Sequence, residues 1–211
     1  MIVPQHTPYD PVRLWPAGSF FGRLVLNIKS QPTSWLAMST HIELLNHAEH
    51  LARKKGMNGF SYADLSLAVG IQKASIHHHF PKKADLALAV IERYAANFFD
   101  QLDAIRSKAL DPDTELKNYV AIYRAALMGG EGMCLCVAYA SERESHSQPV
   151  RAALKAFHVR NIDWLAPLFV TRDEATSCLA CVEGAQVLAH GTGEIFYFDH
   201  ATCGLRATRS A

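Results

Sequence analysis

Hydrogen-bond donors are concentrated near residue 75 of the chain, and their types suit contacts to phosphates or base edges. Between Gly56 and Lys83 the only acidic residue is Asp64. The donors that surround a predicted short helix are Lys73, Ser75, His77, His78, Lys82 and Lys83. Because DNA phosphates attract cations and base edges accept hydrogen bonds, the segment predicts a local nucleic-acid site.

Three consecutive histidines, His77 to His79, raise the question of a metal site. Adjacent residues on a helix point about 100° apart, so these side chains are poorly placed to share one ion. We therefore expect no metal and no cofactor there. We expect His79 to be half-buried and structural.

The five cysteines include two close pairs, Cys134-x-Cys136 and Cys178-x-x-Cys181. Thiolates can bind zinc or copper(I), or oxidise as a switch, but free cysteine is also a small buried hydrophobe. The second pair shares a helix face, whereas Cys134 and Cys136, if helical, would point roughly 200° apart. Sensing of redox state or metal by these pairs stays open as an alternative.

Composition limits the class of protein. The 211 residues are 49% hydrophobic, with 21 Lys+Arg against 20 Asp+Glu, which excludes a disordered or collagen-like chain. An odd number of cysteines favours a reducing compartment, and we expect a cytoplasmic location. No apolar run reaches the roughly 18 residues of a membrane span. Net charge is only +1, so a nucleic-acid contact must come from a local site.

The elements that position these groups are all predicted to be helices. From Thr40 onward apolar residues recur at helical spacing, and nothing up to Arg206 alternates like a strand. Thr40 to Glu43 and Thr171 to Glu174 have the pattern of capping boxes at helix starts. The predicted helices are Thr40 to Gly56, Ser61 to Gly70, Lys73 to His79, Ala84 to Lys108, Asp111 to Met128, Met133 to Glu144, Pro149 to Val170, Arg172 to His190 and Gly193 to Arg206.

Two short helices joined by a tight turn at Gly70, after a longer amphipathic helix, are typical of a helix-turn-helix. The run from Phe60 to Leu86 resembles the DNA-binding signature of the TetR family of transcriptional repressors, and the match extends from Thr40 to about Arg93. The resemblance implies an all-α homodimer, in which a three-helix domain is joined by a long helix to a C-terminal bundle. The implied domains are residues 39–86 for DNA and 87–211 for ligand sensing and dimerisation.

The resemblance also implies a role for each matched position. Ser61 and Tyr62 would begin the second helix near the DNA backbone. Lys73, Ala74 and Ser75 would face the major groove, and the remaining positions, His77, His78 and Lys83, would bind phosphates. His77 departs from the usual Tyr, and Lys82 stands where a Ser or Asn usually caps the next helix. The implied contacts are Ser61, Tyr62, Lys73, Ala74, Ser75, His77, His78 and Lys83.

The C-terminal part resembles one TetR subgroup around residues 131–142 and 183–186. An effector pocket between helices would be apolar with a few polar groups, although a bundle needs aromatic filling in any case, which favours the core over the pocket for each aromatic candidate. The candidates are Phe98, Tyr119, Tyr123, Met133, Tyr139, Phe157, Trp164, Glu183 and Gln186. The implied dimer is a four-helix bundle from the last two long helices, in which small residues allow close approach: Ala175, Ala180, Gly184 and Ala185.

We therefore predict a ligand-responsive repressor that binds a pseudo-palindromic DNA operator as a homodimer and is released by a small-molecule effector. An activator stays open as an alternative. No nucleophile with a base, phosphate loop or His-x-x-x-His motif stands out, so an enzyme is not expected. Residues 1–38 are rich in proline and predict either a disordered arm or a start codon placed too early, with Met38 as the natural start.

Overall fold

The computed structural model describes residues 33–129 and 132–209, and every regular element in these two ranges is helical. The prediction for the N-terminal arm falls largely on residues 1–32, which lie outside these ranges. None of the helices that are described is long and apolar enough to cross a membrane. The α-helices are α1 (Thr33–Lys55), α2 (Tyr62–Val69), α3 (Lys73–His79), α4 (Lys83–Arg106), α5 (Pro112–Met128), α6 (Leu135–Ser141), α7 (Gln148–Leu165), α8 (Arg172–Thr192) and α9 (Ile195–Thr202).

The first helix corrects the predicted start at Thr40. Because α1 begins at Thr33, Thr40 lies inside the helix and does not cap it. The residues before it, including Leu36, Ala37 and Met38, are good helix formers that extend the helix toward its N-terminus. The predicted boundary after residue 38 therefore falls within α1.

Helices α1 to α3 and the start of α4 pack around one apolar centre. Ala48 of α1, Leu65 of α2, Ile76 of α3 and Leu86 of α4 are all fully buried. Phe80, which ends α3, is buried beside them, so the predicted inward face of Ile76 and Phe80 is confirmed. This centre fixes the angle at which α3 is held.

The 24-residue helix α4 joins this cluster to the C-terminal bundle. Its distal half packs on α7, where Phe98 and Phe99 lie 5.1 and 5.4 Å from the ring of Phe157. Helix α8 contacts α5, α7 and α9 and is the central helix of the bundle. The predicted caps at Asp111 and Thr171 are confirmed, since each side chain accepts the backbone N–H three residues on.

Three C-terminal helices are shorter than predicted. Helix α6 starts only at Leu135, and a 3₁₀ turn, Arg143–Ser145, follows it. Helix α7 ends at Leu165, where the chain tightens into the 3₁₀ turn Ala166–Leu168. Gly193 takes φ 75° and caps α8, so α9 begins after it. Periodicity continues through such turns, which explains why the predicted ends extend too far.

The end of α1 is bound directly to the segment around α6, which we call the α1–α6 junction. Arg53 Nε donates to the Met133 carbonyl at 3.0 Å. The carboxylate of Glu142 accepts the backbone N–H groups of Met57 and Asn58 at 2.8 and 3.3 Å. The N-terminal cluster and the C-terminal bundle are thus joined by polar contacts as well as by α4.

Candidate nucleic-acid interface and sensor core

The start of α2 is fixed by its own side chains. The Ser61 hydroxyl accepts the N–H groups of Ala63 and Asp64, and Asp64 accepts the N–H of Ser61 at 2.7 Å. Hydrogen bonds from Ser61 lower the pKa of Asp64, which keeps the carboxylate charged at the positive end of the helix dipole. At Gly70 the chain turns with φ 75°, which leads directly into α3.

Helix α3 turns its polar residues outward. Ile76 is fully buried against the cluster and holds the helix, His79 is half-buried, and the other positions of the helix are exposed. The predicted DNA contacts that share this solvent face are Lys73, Ala74, Ser75, His77 and His78. A recognition helix in a major groove needs exposed hydrogen-bond donors on one side and a buried residue, here Ile76, that holds the helix on the other.

Tyr62 has a more structural place than predicted. Its hydroxyl donates to the Phe80 carbonyl at 2.8 Å, and its ring meets the edge of His77 at 4.8 Å. Burial and the nearby charge of Asp85 raise the pKa of Tyr62 to about 12. Tyr62 therefore holds α2 to the end of α3, and it also fixes the direction of His77.

Two further side chains brace this surface from the flanks. Lys83 donates to the Phe60 carbonyl, and its ammonium lies 4.6 Å from the Phe60 ring centroid. His79 is half-buried as predicted, and it lies 5.7 Å from the ring of His41. Burial and the neighbouring His41 lower the pKa of His79, which suits a neutral structural role.

A network of polar side chains lies in the centre of the C-terminal bundle. Tyr119 Oη donates to Asn161 Oδ1 at 2.8 Å, and Asn161 Nδ2 donates to Tyr123 Oη at 2.7 Å. Gln186 Nε2 donates to the Tyr123 carbonyl at 2.7 Å, and its Oε1 accepts the Cys134 N–H at 3.0 Å. Burial raises the pKa of both tyrosines, so both stay protonated.

Ionisable side chains lie at the edge of this hydrogen-bond network. His158 Nε2 lies 3.3 Å from the Glu183 carboxylate, half-buried between α7 and α8. Burial opposes the charge of His158, but the hydrogen bond to Glu183 outweighs it and raises the pKa. On the other side, the Tyr119 ring stacks on Trp164 at 5.5 Å, and the Arg106 guanidinium lies 4.4 Å from the Trp164 ring centroid.

A cavity of about 420 Å³ opens between α1, α4 and α5. Arg53 and Glu49 of α1 form one wall, and Tyr94 and Phe98 of α4 form another. Its wall therefore includes a residue of the α1–α6 junction. A ligand in this cavity would touch both the helix that supports α3 and the helix that enters the bundle.

Comparison with known proteins identifies the N-terminal cluster. A family model described as bacterial regulatory proteins, tetR family, matches residues 44–90. The HTH-type transcriptional regulator CymR of Pseudomonas putida is 41% identical over 56 residues, which are 26% of this chain and 28% of that protein. A TetR-family transcriptional regulator from Agrobacterium tumefaciens is 28% identical with a TM-score of 0.78, covering 83% of this chain and 100% of that one. Residues 44–90 therefore belong to the TetR family of DNA-binding domains, and the chain as a whole has the fold of TetR-family regulators.

The similarity to TetR-family proteins extends well beyond the DNA-binding helices. A TetR regulator from Legionella pneumophila, also 28% identical, has a TM-score of 0.69 and covers 75% of this chain and 91% of that one. The predicted all-α TetR architecture is confirmed. The chain is a transcriptional regulator with a helix-turn-helix, and it is not an enzyme.

The predicted effector residues fall into three places in this TetR-family bundle. Phe98 lines the open cavity. Tyr139 lies instead at the α1–α6 junction, where its hydroxyl contacts Met57 Sδ at 3.4 Å, and Met133 is half-buried beside it. The remaining candidates pack in or around the closed polar centre of the bundle: Tyr119, Tyr123, Phe157, Trp164, Glu183 and Gln186.

Two expectations about side-chain direction are wrong. Cys134 is the residue before α6 and is not helical, so the angle of roughly 200° that applies to two helical cysteines does not apply to this pair. Ala175 and Ala185 are buried inside their own protomer, so they are not available for a dimer contact. Ala180 and Gly184 remain exposed, near Val187 and Leu188.

Sequence reasoning missed Tyr94, Arg53 and Asn161. Asn161 is fully buried, and its only signal in the sequence is a polar residue on an otherwise apolar face of α7. Arg53 looks like an ordinary basic residue near a helix end, yet it is 6% exposed because it reaches the Met133 carbonyl. Neither contact has a local sequence pattern, since the partners lie 42 and 80 positions apart.

Replacement of Lys83 by Ala should weaken operator binding for all sequences and reduce the salt slope by about one. The ammonium also holds the Phe60 carbonyl, so we expect a stability loss of about 1 kcal/mol. Lys117→Ala is the matched control, because it removes the same charge from an exposed position on α5, away from this surface. Titration of a labelled operator at several salt concentrations measures the operator affinity and its salt slope. An unchanged affinity and an unchanged slope would remove Lys83 from the DNA contacts.

Proposed function

We propose that this TetR-family regulator is a repressor that binds a pseudo-palindromic operator as a homodimer and is released by a small-molecule effector. The observation that carries the proposal is the solvent-facing row of donors on α3, held by the fully buried Ile76. In this proposal residues 39–86 bind DNA, and residues 87–211 sense the effector and dimerise.

Each predicted contact has a part in the proposal. Lys73, Ala74 and Ser75 at the start of α3 read base edges, while His77, His78 and Lys83 bind phosphates. Ser61 and Tyr62 contribute mainly by holding the start of α2 and the end of α3 in place. The protein's small net charge agrees with contacts confined to this surface.

The exposed face of α8 and α9 supports the homodimer. Val187 and Leu188 of α8 are about half exposed, and Phe196 of α9 is 60% exposed. Small residues, Ala180 and Gly184, lie on the exposed side of the same helix α8. Large apolar side chains in this concentration are typical of a protein interface, and a two-fold dimer would pair each patch with its own copy.

Release by an effector needs a contact that differs between two states of the protein. The α1–α6 junction provides the coupling, because Arg53 both lines the 420 Å³ cavity and donates to the Met133 carbonyl. A ligand that displaces Arg53 or Tyr94 changes how α1 is held. In a dimer, such a change alters the separation of the two α3 helices and lowers operator affinity.

The deciding experiment is to incubate the full chain with fragmented genomic DNA of its source and to sequence the retained fragments. We expect a few sharply enriched pseudo-palindromic sites, with half-sites about 34–36 Å apart. Ser75→Ala should change the preferred bases within each half-site, whereas loss of a phosphate contact should not. Absence of enrichment from protein shown to be folded and dimeric would contradict the proposal, and reporter expression after gene deletion separates a repressor from an activator.

A further inference from the structure

Cys134 and Cys136 form a buried thiol pair at the first turn of α6. Cys134 is 1% exposed and Cys136 is fully buried. The Cys134 backbone has φ −50° and ψ 135°, so the residue stands just outside the helix, whereas Cys136 lies in its first turn. Neither thiol forms a disulfide in this structure.

The surroundings distinguish the two thiols. The Tyr94 hydroxyl donates to Cys134 Sγ at 3.1 Å, and the Arg53 guanidinium lies 6.0 Å from the Tyr94 ring centroid. Burial opposes ionisation of Cys134, but the hydrogen bonds from Cys136 and Tyr94 outweigh it and lower its pKa. Burial and the adjacent Cys134 raise the pKa of Cys136. Because the Tyr94 hydroxyl donates to Cys134 Sγ and Tyr94 also lines the open cavity, Cys134 is the thiol placed to react first and Cys136 the one placed to react second.

Tyr94 connects this pair to solvent. Its ring lines the 420 Å³ cavity, which is open to the surface, and its hydroxyl contacts Cys134. Movement of the Tyr94 side chain would open a route between this cavity and Cys134 Sγ. The other close pair lacks such a partner: burial and Cys181 raise the pKa of Cys178 to about 12.

We propose that Cys134 and Cys136 are an oxidation site, at which a hydroperoxide converts the two thiols into an intramolecular disulfide. The proposal rests on the proposed function only in its second part, that this oxidation is an input that lowers operator affinity. It differs from effector binding because it changes covalent bonds and is reversed by a thiol reductant.

The chemistry balances with the hydroperoxide as the oxidant. The Cys134 thiolate attacks the peroxide O–O bond, which forms a sulfenic acid and releases an alcohol, or water from hydrogen peroxide. The Cys136 sulfur then attacks Cys134 Sγ, and the departing hydroxide takes the Cys136 proton to leave as water. Two thiols are oxidised by one peroxide, which is reduced by two electrons.

The position of the pair explains how oxidation would reach the DNA-binding helices. The disulfide removes the thiol that accepts from Tyr94, and it constrains the segment that carries the Met133 carbonyl. That carbonyl accepts from Arg53 of α1, and the Cys134 N–H donates to Gln186 at the polar centre. Oxidation therefore acts at the α1–α6 junction.

Peptide mass measurement tests the oxidation site without DNA. The reduced full chain is incubated with hydrogen peroxide, its free thiols are alkylated, and it is digested with trypsin. Residues 125–143 form one tryptic peptide that holds Cys134, Cys136 and no other cysteine. We expect this peptide to lose the mass of two hydrogen atoms and to take no alkyl group. If both its thiols are alkylated after peroxide treatment, the proposal is wrong.

Single replacements assign the two roles. Cys136→Ser should stop the reaction at a sulfenic acid that a 1,3-dione traps, whereas Cys134→Ser should not react. Tyr94→Phe, which keeps the ring and removes only the hydroxyl, should slow disulfide formation. Cys178→Ser is the matched control, since it removes a buried thiol elsewhere in the bundle and should leave the 125–143 peptide unchanged. Equal reaction of Cys134→Ser and the parent chain would overturn the assignment.

Operator affinity before and after oxidation tests the second part. We expect the oxidised chain to bind its operator at least about fivefold more weakly, with recovery after reduction. An unchanged affinity of the oxidised chain would overturn the input to DNA binding and leave the proposed function in place. A reduced chain that binds no operator would contradict the proposed function, while the peptide mass still decides the cysteine chemistry.

Discussion

Gly132→Ala is expected to lower the free energy of unfolding by about 3 kcal/mol. Gly132 takes φ 87°, a left-handed conformation that costs a residue with a Cβ about 1–2 kcal/mol. An added Cβ would also lie 2.6 Å from the Arg53 carbonyl oxygen, which belongs to the backbone of α1. Because that oxygen is part of a helix, relief requires a shift of the helix itself.

Gly193→Ala is the matched control for this prediction. Gly193 has a similar φ of 75°, but an added Cβ there would have no atom within 4 Å. Its replacement should cost only the 1–2 kcal/mol of the backbone conformation. Urea denaturation of both variants, with comparable slopes, measures the difference. Equal losses would show that the close approach of Gly132 to α1 has no energetic weight.

The same variant also examines the coupling between the bundle and the DNA-binding helices. A displaced Arg53 carbonyl moves the last turn of α1, which leads through Gly56 to Met57 and its hydrogen bond with Glu142. We therefore expect Gly132→Ala to weaken operator binding, whereas Gly193→Ala, at the far end of α8, should leave it near the parent value.

The DNA-binding helices could be predicted because their signals are local. Ser61 and Asp64 cap a helix three positions apart, Gly70 ends that helix in a left-handed conformation, and Ile76 and Phe80 bury one face of the next. Each of these features is settled by residues within one or two helical turns. Sequence reasoning therefore gave the correct order and approximate ends of α2, α3 and α4.

For the C-terminal sensor region, the sequence predicted which residue types are buried but not where each side chain lies. The aromatic residues of the bundle are indeed buried, but periodicity could not separate Tyr123 in the polar centre from Tyr139 at the α1–α6 junction. The partners that distinguish them lie 38 and 82 residues away. The predicted start of α6 is too early for a related reason, because no side chain caps it locally and the Cys134 N–H instead donates to Gln186, 52 positions away.

The polar centre gives the second large expected effect. Asn161→Leu should lower the free energy of unfolding by about 2–4 kcal/mol, because it leaves two buried phenols without their amide partner. The Tyr119 and Tyr123 hydroxyls are 3.3 Å apart and can satisfy only part of each other's hydrogen bonding. Denaturant unfolding of the variant, with an unchanged slope, measures the loss.

A triple variant separates the hydrogen bonds from the packing. Asn161→Leu combined with Tyr119→Phe and Tyr123→Phe removes donors and acceptors together, so few polar atoms of the network remain unpaired. We expect the triple variant to be more stable than Asn161→Leu alone by over about 1 kcal/mol. A triple variant that is less stable than the single one would mean that the phenols contribute through partners other than Asn161.

The triple variant also tests why a buried polar network is present in this bundle. An apolar centre of similar volume can be as stable, so stability alone does not require Asn161 and its two tyrosines. If the triple variant folds, dimerises and binds operator but no longer responds to the effector, the network serves recognition of that molecule. If the response is retained, the effector is recognised elsewhere, and the cavity bounded by Arg53, Tyr94 and Phe98 becomes the site to test next.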